Sequence, residues 1–158
     1  MNRIVLILRR HAITLVLAAL LLPASISFAQ AADAGRVKVS KGSVTIERGG
    51  ARLPAPVGTP VQQSDVVVTG ADGAVGISFA DSSLLSAGPN SILVISKFAF
   101  DPATQKGEFD TELRKGTLTA VSGRIVKQSP GAMRVKTPAA IMGVRGTQFA
   151  VRVADTAQ

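Results

Sequence analysis

Side chains that could carry out chemistry are scarce in this sequence of 158 residues. It contains no Cys, and its only His is His11. Without Cys there can be no disulfide framework, thiolate metal site or thiol nucleophile. Asp81 stands beside Ser82 and Ser83, but neighbouring residues of a strand point to opposite faces, and no nearby imidazole could activate either hydroxyl. We therefore expect no catalytic residue, no metal site and no cofactor, and we predict that the protein is not an enzyme.

One charged side chain stands between glycines, in a run of five residues: Gly143, Val144, Arg145, Gly146 and Thr147. Glycines within a strand permit a bend or bulge, which would aim Arg145 away from the regular pleat. The planar guanidinium group suits a carboxylate. We expect it to form an internal ion pair with one of three aspartates in earlier turns: Asp65, Asp72 or Asp81. The alternative is that Arg145 contacts a partner or a ligand.

A second motif, Thr137-Pro138-Ala139, precedes this run. Proline fixes its own φ and favours an extended conformation for Thr137. The threonine hydroxyl can then satisfy a backbone group at a turn. Together these two runs are the candidate interaction motif: Thr137, Pro138, Ala139, Gly143, Val144, Arg145, Gly146 and Thr147. The alternative is that these residues have a purely structural role.

The elements that must position these residues look like short strands. Glycines recur about every ten residues and separate runs rich in Val, Ile and Thr, which is typical of an all-β sandwich, barrel or roll. In one such run Val75, Ile77 and Phe79 alternate with smaller residues, so one face would be buried. We predict an all-β fold of about ten short strands with no helix after the leader, and we expect Met133 and Met142 to fill its core.

The N-terminus has the pattern of an export signal. The first twelve residues carry three arginines and no acid, residues 13–22 are almost wholly apolar, and small residues lead to Ala31 after Pro23. We predict a cleaved signal-peptide helix over residues 1–31, a single domain over residues 32–158, and a periplasmic or secreted location. An uncleaved anchor is the alternative, but a spanning helix needs about 20 apolar residues. We therefore expect no membrane span after cleavage.

Positive charge is concentrated in the C-terminal part of the chain. The formal net charge is +8, and residues 113–158 hold eight basic residues and one acid. A basic region of this kind favours nucleic acid, an anionic polymer or an acidic protein as partner. Export and the few aromatic residues make nucleic acid an unexpected partner. The alternative is a solvated face without a partner, and the oligomeric state stays open.

Two stretches of the sequence resemble a known family. The first comprises residues 57–70, 74–84 and 88–91, and the second comprises residues 113–118 and 135–149. Their order and spacing are similar to the FecR domain, named for the ferric citrate transport regulator of the bacterial periplasm. The resemblance covers about residues 40–153, and residues 137–149 are its most specific part.

The resemblance implies an all-β periplasmic module, a short β-roll or solenoid-like sandwich, that senses the state of an outer-membrane siderophore transducer. We expect neither the cytoplasmic anti-sigma segment nor the internal membrane helix of full-length regulators. We therefore predict a stand-alone interaction or sensory module whose partner is another envelope protein, such as an outer-membrane transducer or transporter. The alternative is a module that binds an anionic envelope polymer, either peptidoglycan or polysaccharide.

Overall fold

The computed structural model describes residues 32–154, which form twelve β-strands and one short helix. The elements in chain order are β1 Asp33–Lys41, β2 Val44–Arg48, β3 Ala51–Pro54, β4 Pro60–Gln62, β5 Val66–Thr69, β6 Ala74–Phe79, β7 Leu84–Ala87, β8 Ile92–Phe100, β9 Gly107–Val121, α1 Arg124–Gln128, β10 Met133–Lys136, β11 Ile141–Gly143 and β12 Gln148–Val153. The all-β prediction is confirmed. There are more strands than expected, and helix α1 was not predicted. The predicted signal peptide lies outside the described residues.

The strands form one curled sheet that resembles half of a barrel. Its main path runs β3-β2-β5-β8-β9-β7-β6-β1-β4, and β10 and β12 both join β9. The pairs among the described strands are antiparallel, except that β9 and β10 are parallel. No helix among residues 32–154 is long and apolar enough to span a membrane.

Strand β9 organises the sheet because four strands pair with it. One side of β9 pairs with β8 over its first part and with β7 over its second part. Gly116 stands between the two parts with φ of +89°. A Cβ atom at Gly116 would lie 2.1 Å from Ser91 Oγ and 2.6 Å from Ser91 Cα. Only glycine fits here, since both the backbone angle and the approach of Ser91 exclude a side chain.

The core forms on the inner face of the curled sheet. Val75, Ile77 and Phe79 are buried, as their alternation predicts. The rings of Phe79, Phe98 and Phe109 contact one another, with centroids 4.5 to 5.4 Å apart. These ring contacts join β6, β8 and the first part of β9 within the core.

The two methionines expected in the core differ in their solvent exposure. Met133 is fully buried, as predicted, whereas Met142 is 36% exposed. The prediction for Met142 is wrong because β11 pairs with β10 and with no other described strand. Met142 faces inward opposite Val135, but the sheet ends there and leaves one side of the side chain uncovered.

Candidate functional site

The residues of the predicted interaction motif lie at the two ends of the β10–β11 hairpin. In this hairpin Arg134 pairs with Gly143 and Lys136 pairs with Ile141. Residues 137–140 form the turn, and residues 143–147 follow at the opposite end. The structure therefore does not bring the two motifs together into one site.

The turn is closed by Thr137. Its backbone N–H donates a hydrogen bond to the carbonyl of Ala140 at 2.8 Å, and its hydroxyl accepts one from the N–H of Ala140 at 3.1 Å. Thr137 is buried, whereas Pro138 and Ala139 are exposed. The predicted local role of the threonine hydroxyl is confirmed, and Pro138 and Ala139 are presented at the surface.

The second motif carries the chain from β11 to β12. Val144 is buried, and Ser122 anchors the following residues. The Ser122 hydroxyl donates to the carbonyl of Gly146 at 2.6 Å, and its N–H donates to the carbonyl of Thr147 at 2.8 Å. Gly146 has φ of +118°, which suits glycine at this bend. Arg145 lies between these anchors and is exposed.

The prediction that Arg145 forms an internal ion pair is wrong. Arg145 forms no hydrogen bond or ion pair with any residue between 32 and 154. Asp65 instead pairs with Arg48. The other two aspartates accept hydrogen bonds elsewhere: Asp72 from the N–H of Ser43 and Asp81 from Ser83. Val144 is buried and Ser122 bonds to Gly146 and Thr147, which leaves Arg145 between them at the surface.

A different internal ion pair joins two early parts of the chain, Arg48 of β2 and Asp65. Arg48 Nε and Nη2 donate to the two carboxylate oxygens of Asp65, each at 2.7 Å. The side chain of Asp65 is fully buried and that of Arg48 is 30% exposed. Asp65 also accepts the N–H of Gln62 at 2.7 Å. The hydrogen bond to Asp65 is the main reason that the pKa of Arg48 is raised above its ordinary value.

Asp81, which stands beside Ser82 and Ser83, also has a structural role. The Ser83 hydroxyl donates to Asp81 at 2.6 Å and accepts the N–H of Gly123 at 2.9 Å. Both Asp81 and Ser83 are fully buried. This pair fixes the start of α1 and is not open to a substrate. Within residues 32–154, no group of three or more His, Cys, Asp or Glu is placed to hold a metal ion.

Strand β11 is an open edge of the sheet. Val144, the next residue, directs both its N–H and its C=O toward the β10 side, where they bond to Met133 and Gly131. Because these groups alternate along a strand, those of Gly143 and Ile141 point away from β10. Ile141 is also 69% exposed. The edge thus offers backbone groups that pair with no strand among residues 32–154, beside exposed apolar side chains.

Other edges of the sheet are better protected. Strand β3, at one end of the main path, contains Arg52 and Pro54, and β4, at the other end, begins with Pro60. Strand β12, which pairs with β9 and with no other described strand, contains the exposed Arg152. Charged residues and prolines discourage the pairing of further strands. Strand β11 has neither, so pairing with another chain is least hindered there.

A basic cleft lies beside the turn of the same hairpin. Strand β10 pairs with residues 109–112 of β9, and β12 pairs with residues 116–121 on the same side. The gap between them, of about 430 Å³, is lined by three basic residues and by the hairpin turn: Arg114, Lys115, Arg152, Thr137, Pro138 and Ala139. We call this gap the basic cleft. Its described lining contains no acidic residue.

The hairpin, the open edge and the basic cleft all lie in one segment that matches a family model. The model of the FecR protein family matches residues 65–158, which is more than half of the chain. The chain belongs to the FecR family. The resemblance predicted from the sequence is thereby confirmed. Comparison with curated proteins and with solved structures finds no significant match.

Much of the positive charge in this FecR chain is used internally. Arg134 on β10 donates to both carboxylate oxygens of Asp110, at 2.7 and 2.8 Å, and also to Glu108. Lys97 on β8 lies 2.5 Å from Glu108. The hydrogen bond to Asp110 is the main reason that the pKa of Arg134 is raised above its ordinary value. This network cross-links three neighbouring strands on the outer face.

The charge is less balanced toward the basic cleft. Glu112 lies 3.4 Å from Arg114 and is its partner. Arg152 is exposed and forms no hydrogen bond or ion pair with residues 32–154. Arg152 therefore brings to the basic cleft a positive charge that no residue between 32 and 154 neutralises.

Sequence reasoning missed Ile141 and Arg152. The density of basic residues after position 113 indicated a charged surface, but it could not select Arg152. Thirty-seven positions separate Arg152 from Lys115, and the pairing of β12 with β9, which places Arg152 opposite Thr117, brings them to one cleft.

Proposed function

We propose that this chain is a non-enzymatic interaction module of the cell envelope, which binds another envelope protein through the open edge of β11. The observation that carries the proposal is the combination of outward backbone groups with an Ile141 side chain that is 69% exposed. An extended segment of the partner would add to the sheet as a further strand. Backbone hydrogen bonds would supply affinity, and side-chain contacts would supply specificity.

Apolar contact would contribute to this binding. Full burial of an exposed isoleucine or methionine is worth about 1.5–3 kcal/mol. Ile141 is 69% and Met142 36% exposed, so covering them would add a part of that value for each. The predicted leader supports a periplasmic or secreted location. Membership of the FecR family supports a sensory role, with an outer-membrane transducer or transporter as the partner class that the resemblance implies.

A second candidate function is binding of an anionic envelope polymer, peptidoglycan or polysaccharide. The basic cleft favours it. Binding of this kind would weaken steeply as the salt concentration rises. The two functions respond differently to Ile141→Lys, because an added positive charge would preserve or strengthen polymer binding, whereas it would oppose strand pairing.

Photo-crosslinking in the cell tests the proposed function. A photoreactive amino acid is placed at Met142, which is 36% exposed, and separately at Leu53 in edge strand β3, which is 41% exposed. We expect a discrete protein adduct from Met142 and none from Leu53. Adding Ile141→Lys should abolish the Met142 adduct.

The control for the added charge is Val57→Lys, because Val57 is 63% exposed and lies outside β11. This variant should leave the Met142 adduct unchanged. Equal adducts from Met142 and Leu53, or an adduct that survives Ile141→Lys, would contradict pairing at β11.

A further inference from the structure

We infer that the basic cleft binds a carboxylate of the protein partner, so that the segment that pairs with β11 continues into acidic residues. This inference rests on the proposed function and adds the chemistry of the partner. It is carried by the position of the cleft, by the charge of its lining and by the scarcity of aromatic side chains.

The position of the cleft relates it to the open edge. Pro138 and Ala139 line the cleft and belong to the turn that immediately precedes β11. The cleft therefore lies at the end where β11 begins. A segment that runs antiparallel to β11, as β10 does, would travel toward this end. Residues that follow the paired segment would then reach the cleft.

The lining of the cleft suits a carboxylate. Arg114 and Arg152 stand on β9 and β12, on either side of the bend at Gly116. Guanidinium groups bind carboxylates through two parallel hydrogen bonds, which are stronger than neutral ones. Arg152 has no competing partner among residues 32–154. The volume of about 430 Å³ is within the range of ligand clefts, which is about 300–1,000 Å³.

An acidic peptide explains these features better than an acidic sugar. Sugar rings present apolar faces that pack on exposed aromatic rings, and this chain has no Trp or Tyr. Phe79, Phe98 and Phe109 pack against one another. No Phe lines the cleft. Charge recognition without an aromatic platform favours the carboxylates of Asp, Glu or a chain terminus.

Fluorescence anisotropy with labelled hexaglutamate and hexaglutamine tests the inference on the purified chain. We expect hexaglutamate to bind at least about tenfold more tightly than hexaglutamine. Arg152→Gln should weaken hexaglutamate binding about tenfold, as loss of a charge-assisted hydrogen bond predicts. Lys38→Gln is the control, because this substitution also removes one positive charge. Like Arg152, Lys38 is exposed and has no partner among residues 32–154.

Several results would overturn the inference. Equal effects of Arg152→Gln and Lys38→Gln would show attraction by net charge alone. Tighter binding of polygalacturonate than of hexaglutamate, lost in Arg152→Gln, would assign the cleft to the polymer function. The Met142 adduct separates the two proposals. If the adduct forms but hexaglutamate does not bind, the inference alone fails. If hexaglutamate binds but the adduct does not form, the proposed function fails.

Discussion

Two arginines show how burial decides how much an ion pair contributes to the stability of the fold. Arg48 pairs with Asp65, whose side chain is fully buried. Arg52 pairs with Glu47, and the two side chains are 68% and 38% exposed, respectively. Water screens the second pair, whereas loss of Arg48 would leave a buried carboxylate without its counter-charge.

Substitution of the two arginines should therefore have unequal effects. Arg48→Met should lower the free energy of unfolding by about 3 kcal/mol, at the lower end for a broken buried pair because Arg48 is partly exposed. Arg52→Met should cost less than about 1 kcal/mol. Urea denaturation of both variants measures the difference. Similar losses in the two variants would show that the ion pair of Arg48 with Asp65 does not stabilise the fold.

The sequence predicted an ion pair for Arg145, which the structure does not form, and gave no such prediction for Arg48. Arginine and buried aspartate were both recognisable as types that pair. Arg145 drew attention because glycines flank it, yet the hydrogen bonds of Ser122 to Gly146 and Thr147 hold its loop outward. Those contacts join residues more than twenty positions apart, which no local pattern encodes.

At the scale of elements, β9 depends on one glycine. Gly116 and Gly131 have nearly the same φ, +89° and +88°. A Cβ at Gly116 would collide with Ser91, whereas a Cβ at Gly131 would meet nothing within 4 Å. A side chain at Gly131 would therefore show the cost of the backbone angle alone. A side chain at Gly116 would show that cost together with the clash against Ser91.

Alanine at the two glycines should give different stabilities. Gly131→Ala should lower the free energy of unfolding by about 1–2 kcal/mol, the cost of a left-handed residue with a side chain. Gly116→Ala should cost a further 1–3 kcal/mol, about what overpacking costs in other proteins. Thermal unfolding of both variants provides the measurement. Equal losses would mean that Ser91 moves away freely and that Gly116 is required only for its φ.

Alternation predicted the buried strands well, as Val75, Ile77 and Phe79 show. It failed for Met142 because alternation identifies the inner face of a strand but not whether another strand covers it. Met142 does face inward, opposite Val135, yet it lies at an edge. The five-residue helix α1 was missed because it is too short to show a helical period.

At the scale of the whole molecule, both proposed binding surfaces follow from the way four strands share β9. Strands β10 and β12 join the same side of β9 with a gap between them, and β11 ends that side of the sheet. One arrangement thus produces both the basic cleft and the open edge. The sequence indicated the basic charge and the family, but the cleft and the edge depend on pairings between distant segments.

Amide hydrogen exchange in β11, followed by NMR with the partner that Met142 captures, tests strand addition most directly. The amides of Ile141 and Gly143 point to the open edge, whereas that of Met142 points toward β10. We predict that binding slows exchange at Ile141 and Gly143 at least about tenfold, as new backbone hydrogen bonds form, and changes Met142 little. Unchanged exchange at Ile141 and Gly143 in the complex would contradict the account.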